Sequence, residues 1–337
     1  MTLPDPPSPA ARPVDRVDVH AHFLPDFYID ALKAAGHAQP DGMPALPGWN
    51  VEAALQTMDA LGVRTAMLSI SSPGIHFGDD SKARDLARRV NQEGRALGRA
   101  HPGRFGHFAA LPLPDIEGAV AEAIHALDQL GADGIVLESN HHGVYLGDPR
   151  LDPLYAALDR RHAVIFIHPT SPACSCCARL GEVFPRPVLE FMFETTRSVT
   201  DMVVAGVLER FRQLRVIVPH AGAALPVLLN RIELMSGLLH PQGGGTAPSM
   251  RQAMKQLHFD LAGAPVPNQL RALLDVADAG RIHYGSDFPF TPGAACDFLL
   301  RQIETTDLLD APQRDRIFRS NALDLFPRLV GSGAHTG

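Results

Sequence analysis

The chain has 337 residues, 45% of them hydrophobic and 20% charged, with a formal net charge of −7. That length holds two average domains or one large α/β barrel, and the apolar share supplies an ample core. The mixed, acidic balance offers no basic surface for nucleic acid or an anionic membrane, and four cysteines make no disulfide framework, which points to a reducing cytoplasm.

Residues 1–13, "MTLPDPPSPAARP", are proline-rich and lack an apolar signal core, so they are expected to form a disordered tail. No segment approaches an uninterrupted membrane span. Residues 329–337, ending "GSGAHTG", read as a flexible carboxyl-terminal tail, which leaves 14–328 as a single domain.

Within that domain, β-rich runs alternate with amphipathic helical stretches. "VDRVDVHAH" at 14–22 is followed by "RTAMLSI" at 64–70, "FGHFAALP" at 105–112 and "DGIVLES" at 133–139. "AVIFIHP" at 163–169, "RVIVPHAG" at 215–222, "LHFDLAG" at 257–263 and "RIHYGSD" at 281–287 complete the set. Helices are expected over "VEAALQTMDALG", which stops at Gly62, over "DIEGAVAEAIHALDQLG", which stops at Gly131, over "LDPLYAALDRRH", and from Arg186 to Phe211. Eight strands alternating with helices imply parallel crossovers and a (β/α)8 TIM-type barrel. The competing open, doubly wound sheet is disfavoured because no Gly-x-Gly-x-x-Gly turn follows the first strand. Two connections, residues 23–50 with the single Trp49 and residues 169–187, are long enough to wall or cover the carboxyl-terminal mouth.

Polar residues gather at the strand ends that face this mouth. His20 and His22 end the first strand on one side of it, His168 ends the fifth, His220 the sixth and Asp287 the eighth. A lone His-x-His pair would arise by chance in this composition, and a strand-end polar residue can simply cap a loop. Five such groups on four strands converge on one rim and read as a site.

"VHAHF", "FIHPT", "VPHAGAALP" and "YGSDFPF", in this order, resemble the amidohydrolase-related metal barrels. The resemblance is narrower to the branch of aminocarboxymuconate semialdehyde decarboxylase and the hydroxybenzoate-type decarboxylases. "SNHHGVYLGDPRLDPLYAAL" and "ETTRS" are similar to methylsalicylate-type members, and the likeness spans roughly residues 14–328. It implies that His20, His22, His168 and Asp287 bind one divalent metal, with His220 beside it as an acid–base group. Imidazoles with one carboxylate suit zinc, and also manganese. The implied activity is non-oxidative, carbon–carbon lyase removal of carbon dioxide from a small aromatic or enol carboxylic acid, with an ortho-hydroxybenzoate as the expected substrate. His220 is expected to manage the proton, and Asp287 to alternate between ligand and donor.

Rival readings are a single-metal hydrolase of a lactone or amide, a hydratase of a ring-cleavage acid, and a non-catalytic metal-binding barrel. The chain has no lysine between Lys82 and Lys255 to bridge two metals after carboxylation, so one metal is favoured. Glu138 either bridges a second ion or orients a neighbour. The resemblance also implies a homodimer in which Arg231 reaches the neighbouring subunit's site; the plain alternative is a solvated helix arginine. The family's other substrate arginine has no counterpart in "AQPDGMPALPGWN", and Ala223 stands where resorcylate-type relatives place a glutamate. Phe290 and Trp49 either stack on an aromatic ring or pack under a loop. Arg197 either contacts the substrate carboxylate or caps a helix, and Asn140 and Tyr145 are expected to line the pocket. His141 and His142 are expected to face solvent, and Cys174, Cys176 and Cys177 to be plain lid residues.

Overall fold

A computed structural model describes residues 15–173, 183–239 and 248–331. The expected amino-terminal tail, the end of the carboxyl-terminal one and the three clustered cysteines lie outside these residues. The eight strands are β1 (Arg16–His22), β2 (Val63–Ser69), β3 (Phe105–Ala109), β4 (Gly134–Glu138), β5 (Val164–His168), β6 (Arg215–Val218), β7 (His258–Asp260) and β8 (Ile282–His283). Each pairs in parallel with the next in chain order. Parallel bridges from Asp18 to Tyr284 and from Ala21 to Phe288 join the last strand region back to the first. This is the (β/α)8 barrel, with helices covering its outer face.

Local chemistry sets the helix ends. The helix Val51–Leu61 starts where the Asn50 side chain accepts a hydrogen bond from the Ala53 amide at 2.7 Å. It ends at Gly62, whose left-handed φ of 68° a side chain would resist. Asp115 caps Ile116–His125, which widens into a π-helical turn before Gly131. The expected single run from Arg186 to Phe211 is broken. Gly206, at φ 71°, ends the helix Glu190–Val204, and a short helix, Val207–Arg210, follows. The longest helix, Asp80–Ala100, joins β2 to β3. The terminal helix Arg328–Gly331 extends past residue 328, and Leu329 packs against the core.

The barrel interior is apolar beneath the mouth. Phe166 of β5 stacks on Phe108 of β3 with centroids 5.3 Å apart, and its edge meets the His20 ring at 4.8 Å. This aromatic layer is a rigid floor for the imidazoles above it. The described parts of both long connections sit over the mouth. Residues 23–50 form the helix Asp26–Ala34 and a single turn at Pro40–Gly42, and the Ser171 hydroxyl donates to Asp41, tying the two connections together. No described helix is long and apolar enough to cross a membrane.

Candidate metal centre and active site

Each of the five rim residues is placed by backbone as well as by strand position. His20 and His22 are fully buried and point the same way from β1. The sixth and eighth strands stop earlier than expected, and His220 and Asp287 instead occupy left-handed conformations, φ 55° and 60°, just beyond them. Such conformations cost a non-glycine residue about 1–3 kcal/mol and persist where hydrogen bonds over-determine them. Here the Asp287 amide donates to the His20 carbonyl at 2.7 Å, and the His220 amide to Asp260 Oδ1 at 3.0 Å.

The ligand atoms of His20, His22, His168 and Asp287 all lie within 4.8 Å of one another. His20 Nε2 and His22 Nε2 are 3.1 Å apart, and Asp287 Oδ1 is 3.1 Å from the second and 3.5 Å from the first. The remaining ring nitrogens face outward to partners. His20 Nδ1 meets Asp260 Oδ2 at 2.9 Å, His22 Nδ1 meets Ser69 Oγ at 3.0 Å, and His168 Nδ1 faces Glu138 Oε2 at 3.6 Å. With Nδ1 turned outward, the inward Nε2 lone pairs and a carboxylate oxygen crowd one point. That arrangement repels itself unless a positive charge sits between, and three nitrogens with one carboxylate oxygen form a donor set for a divalent metal ion.

The electrostatics show the same demand for positive charge at this point. Burial lowers the His20 imidazole, but the adjoining Asp260 carboxylate overcomes this and, helped by Asp287, raises it to about 10. Burial holds His22 low and His168 well below the usual range, neighbouring imidazoles adding to both effects. Burial raises Asp287, yet hydrogen bonds from His20, His22 and His220 hold its carboxyl well below the usual carboxylate range. Asp260 is likewise lowered against its burial, by the charge of His20 and the hydrogen bond between them. Two ionised carboxylates beside buried imidazoles attract a cation. Glu138 differs: burial, reinforced by Asp41, raises it well above its ordinary value and favours the neutral acid. A neutral acid against His168 Nδ1 suits a positioning role better than a bridging one.

A family model described as Amidohydrolase matches residues 17–328. The chain belongs to the amidohydrolase family. Among its relatives, the 6-methylsalicylic acid decarboxylase acuB of Aspergillus aculeatus is 36% identical over 329 residues, covering 95% of this chain and 98% of its own. A crystal structure described as an amidohydrolase II superposes with a TM-score of 0.86 at 35% identity, covering 93% of this chain and 99% of the other. The 5-carboxyvanillate decarboxylase of Novosphingobium aromaticivorans, solved with manganese and 4-hydroxy-3-methoxy-5-nitrobenzoic acid, shares the fold with a TM-score of 0.81 at 23% identity, covering 93% of this chain and 96% of its own. The resemblance read from the strand-end motifs is borne out, and with it the assignment of this amidohydrolase to the carbon–carbon lyases.

The metal cluster opens into a cavity of about 530 Å³ whose wall includes His168, His220, Asp287 and Phe290. The Phe290 ring stands edge-on to His22, with centroids 5.4 Å apart. His220 Nε2 lies 3.9 Å from Asp287 Oδ2, and its buried Nδ1 has no partner among the described residues. The other expected substrate contacts fall elsewhere. Asn140 and Tyr145 donate to Glu194, at 3.0 Å each to its Oε2, and Arg197 pairs with the same fully buried carboxylate. Those three clamp the hairpin at 140–145 to the helix Glu190–Val204 and do not line the metal cavity. Trp49 packs edge-on against Phe23 at 6.1 Å, also outside the cavity wall. Arg231 is exposed on the helix Leu225–Leu239. His142 is exposed as expected, but His141 is buried because it sits in the short ladder with Val144.

Sequence reasoning passed over Asp260 and Ser69, which orient the two first-strand histidines. Asp260 ends "LHFD" on β7 as His168 ends "VIFIH" on β5, so the strand-end pattern already marked it. Ser69 ends "VRTAMLS" on β2, and a small hydroxyl gives no comparable signal.

Proposed function

We propose that this amidohydrolase is a zinc-dependent, non-oxidative decarboxylase of an ortho-hydroxybenzoate of the methylsalicylate type, acting in the cytoplasm. The observation that carries the reading is the single-metal donor set of His20, His22, His168 and Asp287 at the floor of a cavity with an aromatic and aliphatic wall. Phe191, Met192, Val188 and Phe290 supply that wall, which suits a substituted ring. Likeness to a 6-methylsalicylic acid decarboxylase over 95% of the chain supports the same substrate class.

When bound, zinc would supply a positive charge that draws the carboxylate and the adjacent phenolic oxygen together and fixes the leaving group's geometry. The chain's own residues carry the rest. Phe290 holds the ring flat, and the connections joined through Asp41 and Ser171 limit water access. A proton held at His220 Nε2, with Asp287 as its neighbour, passes to the ring carbon that bears the carboxylate. The ring then accepts the electron pair of the breaking carbon–carbon bond, regains its aromaticity, and carbon dioxide leaves.

No arginine or lysine lines the cavity among the described residues, so the chain offers the substrate carboxylate no cation of its own there. Arg231 shares its helix face with the exposed Val227, Leu234 and Leu238. We therefore infer a homodimer in which this face docks on a second copy and Arg231 enters its site. The test is a panel of hydroxybenzoates and lactones given to metal-loaded protein. Headspace carbon dioxide from ortho-hydroxybenzoates supports the decarboxylase, whereas acid release from lactones without carbon dioxide replaces it with a hydrolase.

A further inference from the structure

A second cavity lies at the end of the barrel opposite the metal. The amino-terminal ends of β6, β7 and β8 and the helix Val207–Arg210 border about 460 Å³. Arg215 opens β6, Arg212 lies in the turn before it, and Arg281 immediately precedes β8; all three line the cavity. Elsewhere the arginines of this acidic chain commonly grip carboxylates, as in Arg84 with Asp115, Arg104 with Asp59, Arg161 with Asp128 and Arg328 with Asp133. Here no carboxylate pairs with the guanidiniums among the described residues. Arg212 Nε donates to the Glu209 carbonyl at 3.1 Å. Arg281 Nη1 donates to the Gln256 carbonyl and to His258 Nε2, each at 2.9 Å. The adjoining His258 registers this field: burial first, then His283, Arg281 and Arg215, hold its imidazole down at about 2.

We infer that this cavity binds a small divalent oxyanion, a phosphate group or a phosphate monoester. Three guanidinium charges against the single lining carboxylate, Glu209, leave a local excess of two positive charges. The planar guanidinium fork matches the spacing of phosphate oxygens, and Gln213, Gln252 and Gln256 add neutral donors around it. Phe211 and Leu257 give the cavity an apolar side against which an organic body rests. The location, remote from the mouth, separates this site from the chemistry at the metal.

The test is calorimetric titration of the full-length, metal-loaded protein with inorganic phosphate at pH 8 and fixed ionic strength, with benzoate and chloride in parallel. The double variant Arg212→Gln/Arg215→Gln is the control, because both side chains are exposed, while Arg281 is kept because it also holds His258. Wild-type protein is expected to bind one phosphate per chain saturably, without competition from benzoate. The double variant is expected to bind at least about 100-fold more weakly, from two lost charge-assisted contacts, with metal content and Tm unchanged. Unsaturable binding to wild type, or equal affinity in the double variant, overturns the site.

Discussion

Replacing Asp260 with asparagine keeps the side-chain volume and removes one charge from beneath the metal ligands. In the native site one oxygen of Asp260 accepts from the His220 and Ala262 amides at 3.0 and 2.9 Å, and the other meets His20 Nδ1 at 2.9 Å. An asparagine whose oxygen keeps the two amides must turn its NH2 toward His20. The imidazole then becomes an acceptor at Nδ1, carries its proton on Nε2 and loses the lone pair that faces the metal. The reverse orientation sets the NH2 against two backbone donors inside a fully buried pocket. Either way a charge-assisted hydrogen bond of about 1.5–3 kcal/mol is lost, or roughly 10- to 150-fold in metal affinity. Competition with a fluorescent zinc chelator measures it. A folded Asp260→Asn protein that binds zinc within about twofold of wild type would refute the reasoning.

His220→Asn should lower carbon dioxide release by about 100-fold or more while metal content stays at the wild-type level; near-native turnover removes His220 from the proton path. Chelator treatment should abolish turnover and lower Tm, and added zinc should restore both; turnover that survives metal removal contradicts the proposed chemistry. Mixing inactive Arg231→Gln with inactive His220→Asn should regain activity through mixed dimers, and no regain under subunit exchange argues against the shared site. His107 gives a stability prediction. Burial first, then the charges of Arg328 and Arg95, hold its imidazole at about 4 against 6.5 when exposed. The unfolded chain therefore takes up a proton between these values. The stabilisation is complete above pH about 6.5 and falls by about 3 kcal/mol as the pH drops to about 4. Urea unfolding of wild type should weaken more steeply over this range than that of His107→Gln, and equal slopes would contradict it.

The barrel was legible because its strands are buried on both faces. Runs such as "AVIFIHP" are continuously apolar and end in one polar residue, so both the strand and its mouth-facing end are visible in one dimension. The helix stops at Gly62 and Gly131 were equally visible, because left-handed backbone there favours glycine. What escaped depends on contacts between distant segments. Nothing near Asn140, Tyr145 or Arg197 announces that Glu194 gathers all three, since a buried carboxylate reads like a surface one until its surroundings are known. The break at Gly206 was missed because the apolar spacing continues across it. The ends of β6 and β8 were placed too late for a related reason. Backbone amide hydrogen bonds to the Asp260 carboxylate and the His20 carbonyl hold His220 and Asp287 outside strand geometry, and those acceptors lie far away in the sequence.

The most direct test is anomalous diffraction from crystals of the metal-loaded protein, recorded on both sides of the zinc edge. One peak per chain is expected, bonded to Nε2 of His20, His22 and His168 and to the Asp287 carboxylate. A peak elsewhere, or a pair of ions bridged by Glu138, would contradict it.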